Sequence, residues 1–268
     1  MALPDTVTAV ILGLVEGITE FLPISSTGHL IVAGDLLHFE SAFSKVFDVV
    51  IQLGAILAVV WLYRAKLAST VQNIGRDPAA QAFARNVLLA FLPAVGIGLV
   101  LHGFIKRHLF SSWVVAVAWI VGGIAILVVE KFRPAETIRS TEAMPAPTAL
   151  RIGFWQCLAM VPGTSRSGAT IVGAMLAGVS REAATEFSFF LAIPTMTAAT
   201  VLDLWKARGD LGQGEWGLIA IGFVIAFFSA LVVVRWLVGF VGKHGFAPFA
   251  WYRIAAGVVT LGWLVAYR

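Results

Sequence analysis

Most of this chain consists of apolar segments of the length that crosses a lipid bilayer. A helix needs about 20 residues to span a hydrocarbon layer about 30 Å thick. Hydrophobic residues make up 59% of the 268 residues and charged residues only 13%, whereas a soluble domain carries about 25% charged residues. The sequence therefore predicts an all-α, polytopic membrane protein. The six segments expected to span are 46–63, 86–101, 113–130, 186–203, 217–234 and 249–267.

Other features of the composition exclude several classes of function. Cys157 is the only cysteine, which excludes an internal disulfide and a multi-cysteine metal site. The chain has no Lys/Arg-rich run, so nucleic acid is not an expected partner. It also lacks a nucleotide-binding loop. No basic region precedes the first apolar run, so we expect the N-terminus to belong to the mature fold and not to a cleaved signal.

Two further apolar regions are each interrupted by a proline. Residues 7–38 contain Pro23, and residues 152–178 contain Pro162. At least one helical piece of each region is too short to cross the membrane alone. Each region is therefore predicted to form a re-entrant helical hairpin that enters the membrane, turns at the proline and returns.

The order of hairpin and spans occurs twice in the chain. We predict a first repeat at 1–133, a linker at 134–150 and a second repeat at 151–268, each repeat with one hairpin and three spans. An odd number of crossings places the two repeats in opposite orientations, which makes the repeat inverted. A shift of 140 residues aligns Glu16 with Gln156, Ser25 with Ser165, Gly28 with Gly168 and Phe47 with Phe187.

The distribution of positive charge predicts the orientation in the membrane. With both termini outside, the inner loops carry ten Lys and Arg residues (64, 66, 76, 85, 131, 133, 139, 151, 235 and 243). The outer regions carry five (106, 107, 206, 208 and 268). Cytoplasmic loops are enriched in Lys and Arg, so this orientation is favoured.

The first hairpin carries a high density of polar groups at its break. Glu16 and Glu20 lie four residues apart, so they share one face of a helix. Pro23 is expected to end that helix, and a second helix should begin within the hydroxyl residues that follow. Polar side chains at membrane depth cost free energy and mark functional sites. The candidate residues of this tip are Glu16, Glu20, Ser25, Ser26, Thr27 and His29.

Two buried carboxylates on one helix face repel each other unless something neutralises them. Glu16 and Glu20 could share a proton, pair with Arg166 or bind a divalent cation. Oxygen ligands favour Mg²⁺ or Ca²⁺, with substrate phosphate oxygens completing the coordination. Both glutamates are therefore candidate metal ligands.

His29 follows Ser26 by three residues, so the two side chains would be neighbours on a helix. A histidine beside a serine can act as the general base for attack by the hydroxyl. The alternative is structural, with the imidazole bonded to a backbone carbonyl.

The second break combines glycine, hydroxyl groups and an arginine. Gly163 allows close approach of the backbone, and a helix that begins near Ser167 would direct its unpaired N–H groups into the turn. Arg166 adds a planar guanidinium suited to phosphate. The alternative is that the serines only cap the helix and that Arg166 pairs with Glu20. The candidate phosphate-binding residues are Ser25, Thr27, Gly163, Ser165, Arg166, Ser167 and Thr170.

The broken helices of an inverted repeat usually converge near the bilayer midplane, so we expect the two tips to face each other. Carboxylates, hydroxyls, an imidazole and a guanidinium would then surround one anion. Within a bilayer this combination suggests the hydrolysis of a phosphorylated lipid. Asp48, Gln52 and Glu186 on neighbouring spans are candidates for groups that support the site.

At these residues the chain resembles the undecaprenyl-diphosphate phosphatase family, the bacitracin-resistance membrane proteins. The resemblance covers essentially the whole length. It is most specific in Glu16-Gly-Ile-Thr-Glu20-Phe-Leu-Pro-Ile-Ser-Ser-Thr-Gly-His29 and in Pro162-Gly-Thr-Ser-Arg-Ser-Gly-Ala-Thr170. It implies removal of the terminal phosphate of undecaprenyl diphosphate, which recycles the lipid carrier for cell-wall synthesis and confers bacitracin resistance. It also implies dependence on a divalent cation.

The resemblance further implies roles for single residues. Ser26 would be the nucleophile, with Glu20 and His29 as acid/base or metal-side groups, Glu16 as a supporting carboxylate and Arg166 as the phosphate clamp. The implied location is the bacterial cytoplasmic (inner) membrane, with the site open to the periplasmic side. The expected partners are a polyprenyl diphosphate lipid, the bilayer and a second copy in a homodimer.

Two other functions are compatible with the same sequence. A lipid-phosphate flippase or secondary transporter could use the same inverted-repeat site. A non-catalytic membrane scaffold would not need the charged groups of the tips at all.

Overall fold

A computed structural model describes residues 5–37, 39, 42–206 and 216–267. In these ranges the chain is helical, with one isolated bridge between Ile138 and Val179 as the only β pairing. The helices of the first half are α1 (Asp5–Thr19), α2 (Ser26–Leu37), α3 (Ala42–Leu62), α4 (Arg64–Asn73), α5 (Pro78–His108) and α6 (Ser112–Phe132). Those of the second half are α7 (Ala146–Gln156), α8 (Arg166–Leu176), α9 (Arg181–Lys206), α10 (Trp216–His244) and α11 (Ala247–Tyr267).

Five of the described helices, α5, α6, α9, α10 and α11, are long and apolar enough to cross a membrane. A sixth candidate is α3 taken together with α4, which continues it after a bend of 71°. This confirms the prediction of an all-α polytopic membrane protein. Side chains on the outer faces of these helices remain exposed in the isolated chain, for example Val100, Val232 and Val259, as expected for a surface that meets lipid.

The two regions with a central proline form pairs of short helices. Helix α1 packs against α2, and α7 packs against α8. The first break covers residues 20–25, and the second covers residues 161–165 after a short 3₁₀ turn at Cys157–Met160. Helix α1 ends at Thr19 and not at Pro23 as expected, but the amide of Glu20 still donates to the Glu16 carbonyl at 2.9 Å. The one-turn spacing of the two glutamates is therefore kept.

Two segments expected to be loops contain helix. The stretch 64–85 holds α4 and the start of α5, which begins at Pro78 because the Asp77 carboxylate accepts from the Ala79 amide at 2.9 Å. Proline is well suited to the first turn of a helix. The predicted linker 134–150 ends in helix α7 from Ala146, and the second hairpin thus starts six residues earlier than residue 152.

The remaining linker residues pack against the helices. The Asn86 side chain donates to the Met144 carbonyl at 2.6 Å, and both residues are buried. Ile138 pairs with Val179 after the second hairpin. The linker is therefore a packed part of the structure.

The helix contacts correspond between the two halves. Helix α1 packs on α10 as α7 packs on α5, while α3 packs on α9 and α6 packs on α11. A two-fold relation between the halves would produce these pairings. The repeat boundaries and the orientation in the membrane stay predictions. Residues 1–4, 38, 208 and 268, together with the side chains of 106 and 206, lie outside what the structure describes.

Candidate active site

The two hairpin tips meet inside the helix bundle. The Ser167 hydroxyl of the second tip donates to the Leu22 carbonyl of the first at 2.8 Å. Arg166 Nη2 lies 3.2 Å from Glu20 Oε1. On the first tip, Phe21 packs edge-on against Phe189 of α9, with ring centroids 5.3 Å apart. The tips therefore face each other, as expected from the sequence.

The same backbone turn occurs at both tips. Ser25 has φ 73° and Ser165 has φ 74°, a left-handed conformation that is uncommon for residues other than glycine. The Ser25 hydroxyl accepts from the Gly28 amide at 3.3 Å, and the Ser165 hydroxyl accepts from the Gly168 amide at 3.0 Å. Each serine thus caps the helix that follows it. Backbone strain of this kind concentrates at functional sites.

A cavity of about 560 Å³ opens between the tips. Its wall is polar at the two helix starts and apolar along α5 and α9. The polar part near the tips consists of Glu20, Ser25, Ser26, Thr27, Ser165 and Arg166, together with the backbone of Gly163. The apolar part includes Phe91, Val95, Leu99, Met196 and Leu202. Two helix N-termini beside one cavity favour an anion there, and the apolar wall suits a hydrocarbon chain.

Glu20 connects the candidate nucleophile to the candidate phosphate clamp. Its Oε2 accepts a hydrogen bond from the Ser26 hydroxyl, and its Oε1 accepts from Arg166. All three side chains line the cavity. A carboxylate bonded to a serine hydroxyl can take the proton of that hydroxyl during nucleophilic attack. In this geometry Glu20, and not His29, is the group placed to act as the base for Ser26.

Arg166 is held in a fixed orientation. Its Nη1 donates to the Ser188 carbonyl of α9 at 2.7 Å, and its Nη2 donates to Glu20. Nε has no hydrogen-bond partner among the described residues. The ion pair with Glu20 that the sequence offered as an alternative is thus present. It leaves guanidinium donor capacity for an anion in the cavity.

Ser167 and Thr170 were expected to bind phosphate, but their hydroxyls bond to other parts of the protein. The Ser167 hydroxyl bonds to the first tip, and the Thr170 hydroxyl bonds to Ser188 Oγ at 2.8 Å. Neither residue lines the cavity in the described part of the chain. Their positions join the tips and brace the Arg166 partner. Gly163 does line the cavity, but its missing side chain is required by packing, because a Cβ there would lie 2.7 Å from the Val115 carbonyl oxygen.

His29 is also placed away from the Ser26 hydroxyl. Its Nδ1 lies 2.7 Å from the Ser25 carbonyl, and its Nε2 lies 2.7 Å from the Tyr252 hydroxyl. A carbonyl oxygen only accepts, so Nδ1 carries a proton and the neutral ring accepts from Tyr252 at Nε2. The ring stacks on Tyr252 and is not among the residues that line the cavity. The Ser26–His29 pair that the spacing suggested is therefore not formed.

Glu16 is the deepest carboxylate of the site. It is fully buried, and neither of its oxygens has a hydrogen-bond partner among the described residues. A buried carboxylate without a partner needs a proton or a cation to compensate its charge. In the described ranges no group of three or more His, Cys, Asp or Glu side chains is arranged to hold a metal ion. Glu20 lines the cavity and Glu16 does not. These two carboxylates offer oxygen donors of the kind that a divalent cation prefers, and such a cation would take its other ligands from water or phosphate.

Of the three residues on other spans that were proposed to support the site, one lines the cavity and two do not. Gln52 lines the cavity. Glu186 accepts a hydrogen bond from the Tyr63 hydroxyl at 3.3 Å and lies outside the cavity wall. Asp48 does not line the cavity either.

Arg253 of α11 is a buried residue beside the two tips that the motifs did not reveal. It is 1% exposed, and its five N–H groups reach five backbone carbonyls. Three of these carbonyls belong to the breaks, at Pro23, Gly163 and Thr164, and two belong to α6, at Ala118 and Trp119. The guanidinium thus ties both tips to α6. The signal available in the sequence was an arginine within the apolar segment 249–267, since charged residues inside spans usually have a defined role.

Known proteins resemble this chain over nearly its whole length. The model of the family described as bacitracin resistance protein BacA matches residues 9–259. A protein of Rhizorhabdus wittichii named undecaprenyl-diphosphatase is 56% identical over 258 residues, which cover 96% of this chain and 97% of that protein. Undecaprenyl-diphosphatase 2 of Rhodospirillum rubrum is 56% identical, and the match covers 97% of this chain and 96% of that protein.

A third relative, the undecaprenyl-diphosphatase of Cereibacter sphaeroides, is 53% identical and covers 97% of both chains. The matched residues 9–259 include most of the first hairpin, all of the second, and at least part of every candidate span. On this similarity, the chain belongs to the bacitracin resistance protein BacA family.

Proposed function

We propose that this protein hydrolyses undecaprenyl diphosphate to undecaprenyl phosphate and inorganic phosphate. The observation that carries the proposal is that Ser26 and Arg166, from opposite hairpins, bond to the same carboxylate, Glu20, at a cavity between two helix N-termini. The product returns to cell-wall synthesis as the lipid carrier, and its regeneration accounts for resistance to bacitracin. The relatives with this name cover nearly the whole chain.

The terminal phosphate would lie at the tips, with the prenyl chain along the apolar wall. Ser26 Oγ attacks the terminal phosphorus while Glu20 takes the hydroxyl proton. The bond from phosphorus to the bridging oxygen breaks, and undecaprenyl phosphate leaves. Water then hydrolyses the phosphoserine and releases inorganic phosphate. Detection of a phosphorylated Ser26 after rapid quenching would distinguish this route from direct attack by water oriented by Ser26.

Arg166 and the two capped helix starts stabilise the charge on the transferred group. Donors already in place where charge develops lower the barrier, because they need no reorganisation during the reaction. Ser188 and Glu20 hold the guanidinium in this position. A divalent cation, Mg²⁺ or Ca²⁺, would be held by Glu16 and Glu20 and would neutralise phosphate charge.

His29 is proposed as a supporting group and not as the base for Ser26. Its hydrogen bond to the Ser25 carbonyl holds the strained turn that precedes α2. Through this contact the imidazole orients the start of α2, which carries Ser26. A role as acid or base would require the ring to leave Tyr252.

We also propose the bacterial inner membrane as the location, with the site open to the periplasmic side, and a homodimer as the assembly. The charge distribution supports the orientation. Light scattering of the purified protein in detergent tests the dimer. The flippase alternative has no support from the comparisons, whose matched relatives are named as diphosphatases.

One assay tests the proposed function. The purified protein in detergent, where the membrane has no sides, is expected to release phosphate from undecaprenyl diphosphate. Ser26→Ala should abolish release, His29→Ala should reduce it, and a chelator should inhibit it reversibly, with activity restored by Mg²⁺ or Ca²⁺. A wild-type protein that releases no phosphate but moves the lipid across sealed vesicles would overturn the proposal in favour of the transporter.

A further inference from the structure

Gln156 is a buried amide on the cavity wall that the proposed chemistry leaves unused. It is the last residue of α7, only 2% of its surface is exposed, and it lines the cavity. Its Oε1 lies 3.3 Å from the Thr195 hydroxyl of α9. Its Nε2 has no hydrogen-bond partner among the residues that the structure describes. A buried donor without an acceptor is unfavourable in a folded protein, so a ligand that accepts from this amide would be favoured.

The free donor persists in either orientation of the amide. The Thr195 hydroxyl has one proton and also lies 2.8 Å from the Leu191 carbonyl. If that proton goes to Gln156, both N–H bonds of Nε2 are free. If it goes to Leu191, the amide turns over and donates one N–H to Thr195, and the second N–H is still free. In both cases Thr195 fixes the side chain, and one N–H of this residue of the cavity wall stays without an acceptor.

The position of Gln156 along the cavity suggests which part of a ligand it meets. Arg166 contacts α9 at Ser188, whereas Gln156 contacts α9 at Thr195, seven residues later. Seven residues of helix rise about 10 Å, or two turns. A ligand whose terminal phosphate bonds to Arg166 and whose chain lies on the apolar wall would extend from Arg166 in the direction of this amide, with its second phosphate between the two side chains.

The internal repeat relates Gln156 to a residue of the first half. Gln156 corresponds to Glu16 under the shift of 140 residues. Both side chains are buried, and both have polar atoms without a partner in the described ranges. Glu16 offers two acceptor oxygens suited to a cation, whereas Gln156 offers a neutral donor suited to an anion. The two repeats thus place acceptor oxygens and a neutral N–H donor at equivalent positions.

From these contacts we propose that Gln156, oriented by Thr195, binds the phosphate that stays on the lipid, so that it selects diphosphates over molecules with a single phosphate. The inference rests on the proposed hydrolysis of a lipid diphosphate. The amide contacts an oxygen anion in substrate, transition state and product alike. Losing it should therefore weaken binding more than it slows the chemical step.

The test compares kinetic constants of the full-length protein in detergent. For Gln156→Ala we expect KM for undecaprenyl diphosphate to rise about tenfold, the loss of one hydrogen bond to a charged group, with a smaller change in kcat. Gln156→Glu keeps the shape but places a carboxylate beside the retained phosphate, so its KM should rise further. Thr195→Val should give a smaller rise. Gln72→Ala, on the exposed α4, is the matched control and should leave KM unchanged.

Two inhibitors separate this site from the terminal phosphate site. Inorganic phosphate fills only the position at Arg166, whereas inorganic pyrophosphate extends towards Gln156. Gln156→Ala should weaken inhibition by pyrophosphate about tenfold and leave inhibition by phosphate unchanged. Equal weakening of both inhibitors, or an unchanged KM, would overturn the inference.

Two further controls keep these outcomes distinct. If Gln156→Ala unfolds at a lower temperature than wild type, Gln156→Met, which fills similar space without an N–H, replaces it in every comparison. A wild-type protein that releases no phosphate would instead overturn the proposed function. In that case the inference about Gln156 would also be lost. The wild-type result, and not the Gln156 variants, would be the reason.

Discussion

At the scale of single residues, Glu20 joins the side chains of the two hairpin tips. It accepts from Ser26 and from Arg166, and it is a candidate cation ligand together with Glu16. Accepting the Ser26 proton and binding a cation both depend on the carboxylate charge at that position. The amide of glutamine has nearly the same shape, but it lacks the charge and replaces one acceptor with a donor.

Glu20→Gln is therefore expected to lower kcat for phosphate release at least about 100-fold, the size typical of a lost acid/base group. Phosphate release at saturating substrate measures this. Glu182→Gln at the exposed start of α9 is the control and should retain full activity. Comparable activity in Glu20→Gln would mean that another group activates Ser26.

Arg253 shows how a residue outside both hairpins can define the site. A lysine at this position keeps the charge but has three N–H donors where arginine has five, so at least two of the five carbonyls lose their partner. We expect Arg253→Lys to lower the free energy of unfolding by about 3 kcal/mol and to reduce activity. Thermal unfolding in detergent measures the first effect, with Arg76→Lys on an exposed turn as the control. An unchanged unfolding temperature would contradict a structural role for this guanidinium.

At the scale of elements, the breaks between short helices hold the functional groups. A continuous helix would satisfy its own N–H groups, whereas the starts of α2 and α8 leave them for a ligand. Ser25 and Ser165 turn the chain through the left-handed conformation that makes these starts possible. The same geometry that exposes the N–H groups therefore also directs both helices at one cavity.

Gly163 is the position where the second break is most sensitive to a side chain. Its φ is 89°, and an added Cβ would lie 2.7 Å from the Val115 carbonyl oxygen. We expect Gly163→Ala to destabilise the protein by about 1–3 kcal/mol and to reduce activity, because Arg166 follows three residues later. The matched change Gly96→Ala in α5 meets nothing within 4 Å. It should leave stability unchanged or raise it by up to about 1 kcal/mol, as read from unfolding temperatures.

At the scale of the whole molecule, the two halves meet through corresponding helices. The pairs α3 with α9 and α6 with α11 bring the repeats together around the cavity, and α10 and α5 pack on the hairpins of the opposite halves. The linker joins the halves and is held to the helical part of the structure at Ile138 and Met144.

The orientation can be tested by labelling in intact cells. In a Cys157→Ala background, Arg107→Cys should react with a maleimide that does not cross the membrane, because residue 107 lies in an outer region of the charge-based topology. Gln72→Cys, on the opposite side, should react only after the cells are opened. The reverse pattern would show that the termini lie inside.

The sequence by itself determined the environment of the chain and the residues that carry the chemistry. Apolar length predicted a polytopic helical protein, because the hydrocarbon layer accepts few alternatives to a helix. The cost of polar groups at membrane depth singled out the two breaks, and with them Glu20, Ser26 and Arg166. These signals are local, so they can be read along the chain.

Only the tertiary structure decided which of these groups act on one another. Sequence spacing placed Ser26 beside His29, but the turn at Ser25 directs the hydroxyl to Glu20 and the imidazole to Tyr252. Ser167 and Thr170 lie in the motif yet serve the packing between tips. Arg253 and Gln156 reach the site from α11 and α7, and neither lies in the two motifs at the breaks. The physical reason is that hydrogen-bond partners more than a turn apart are set by how helices pack, and packing depends on the whole chain.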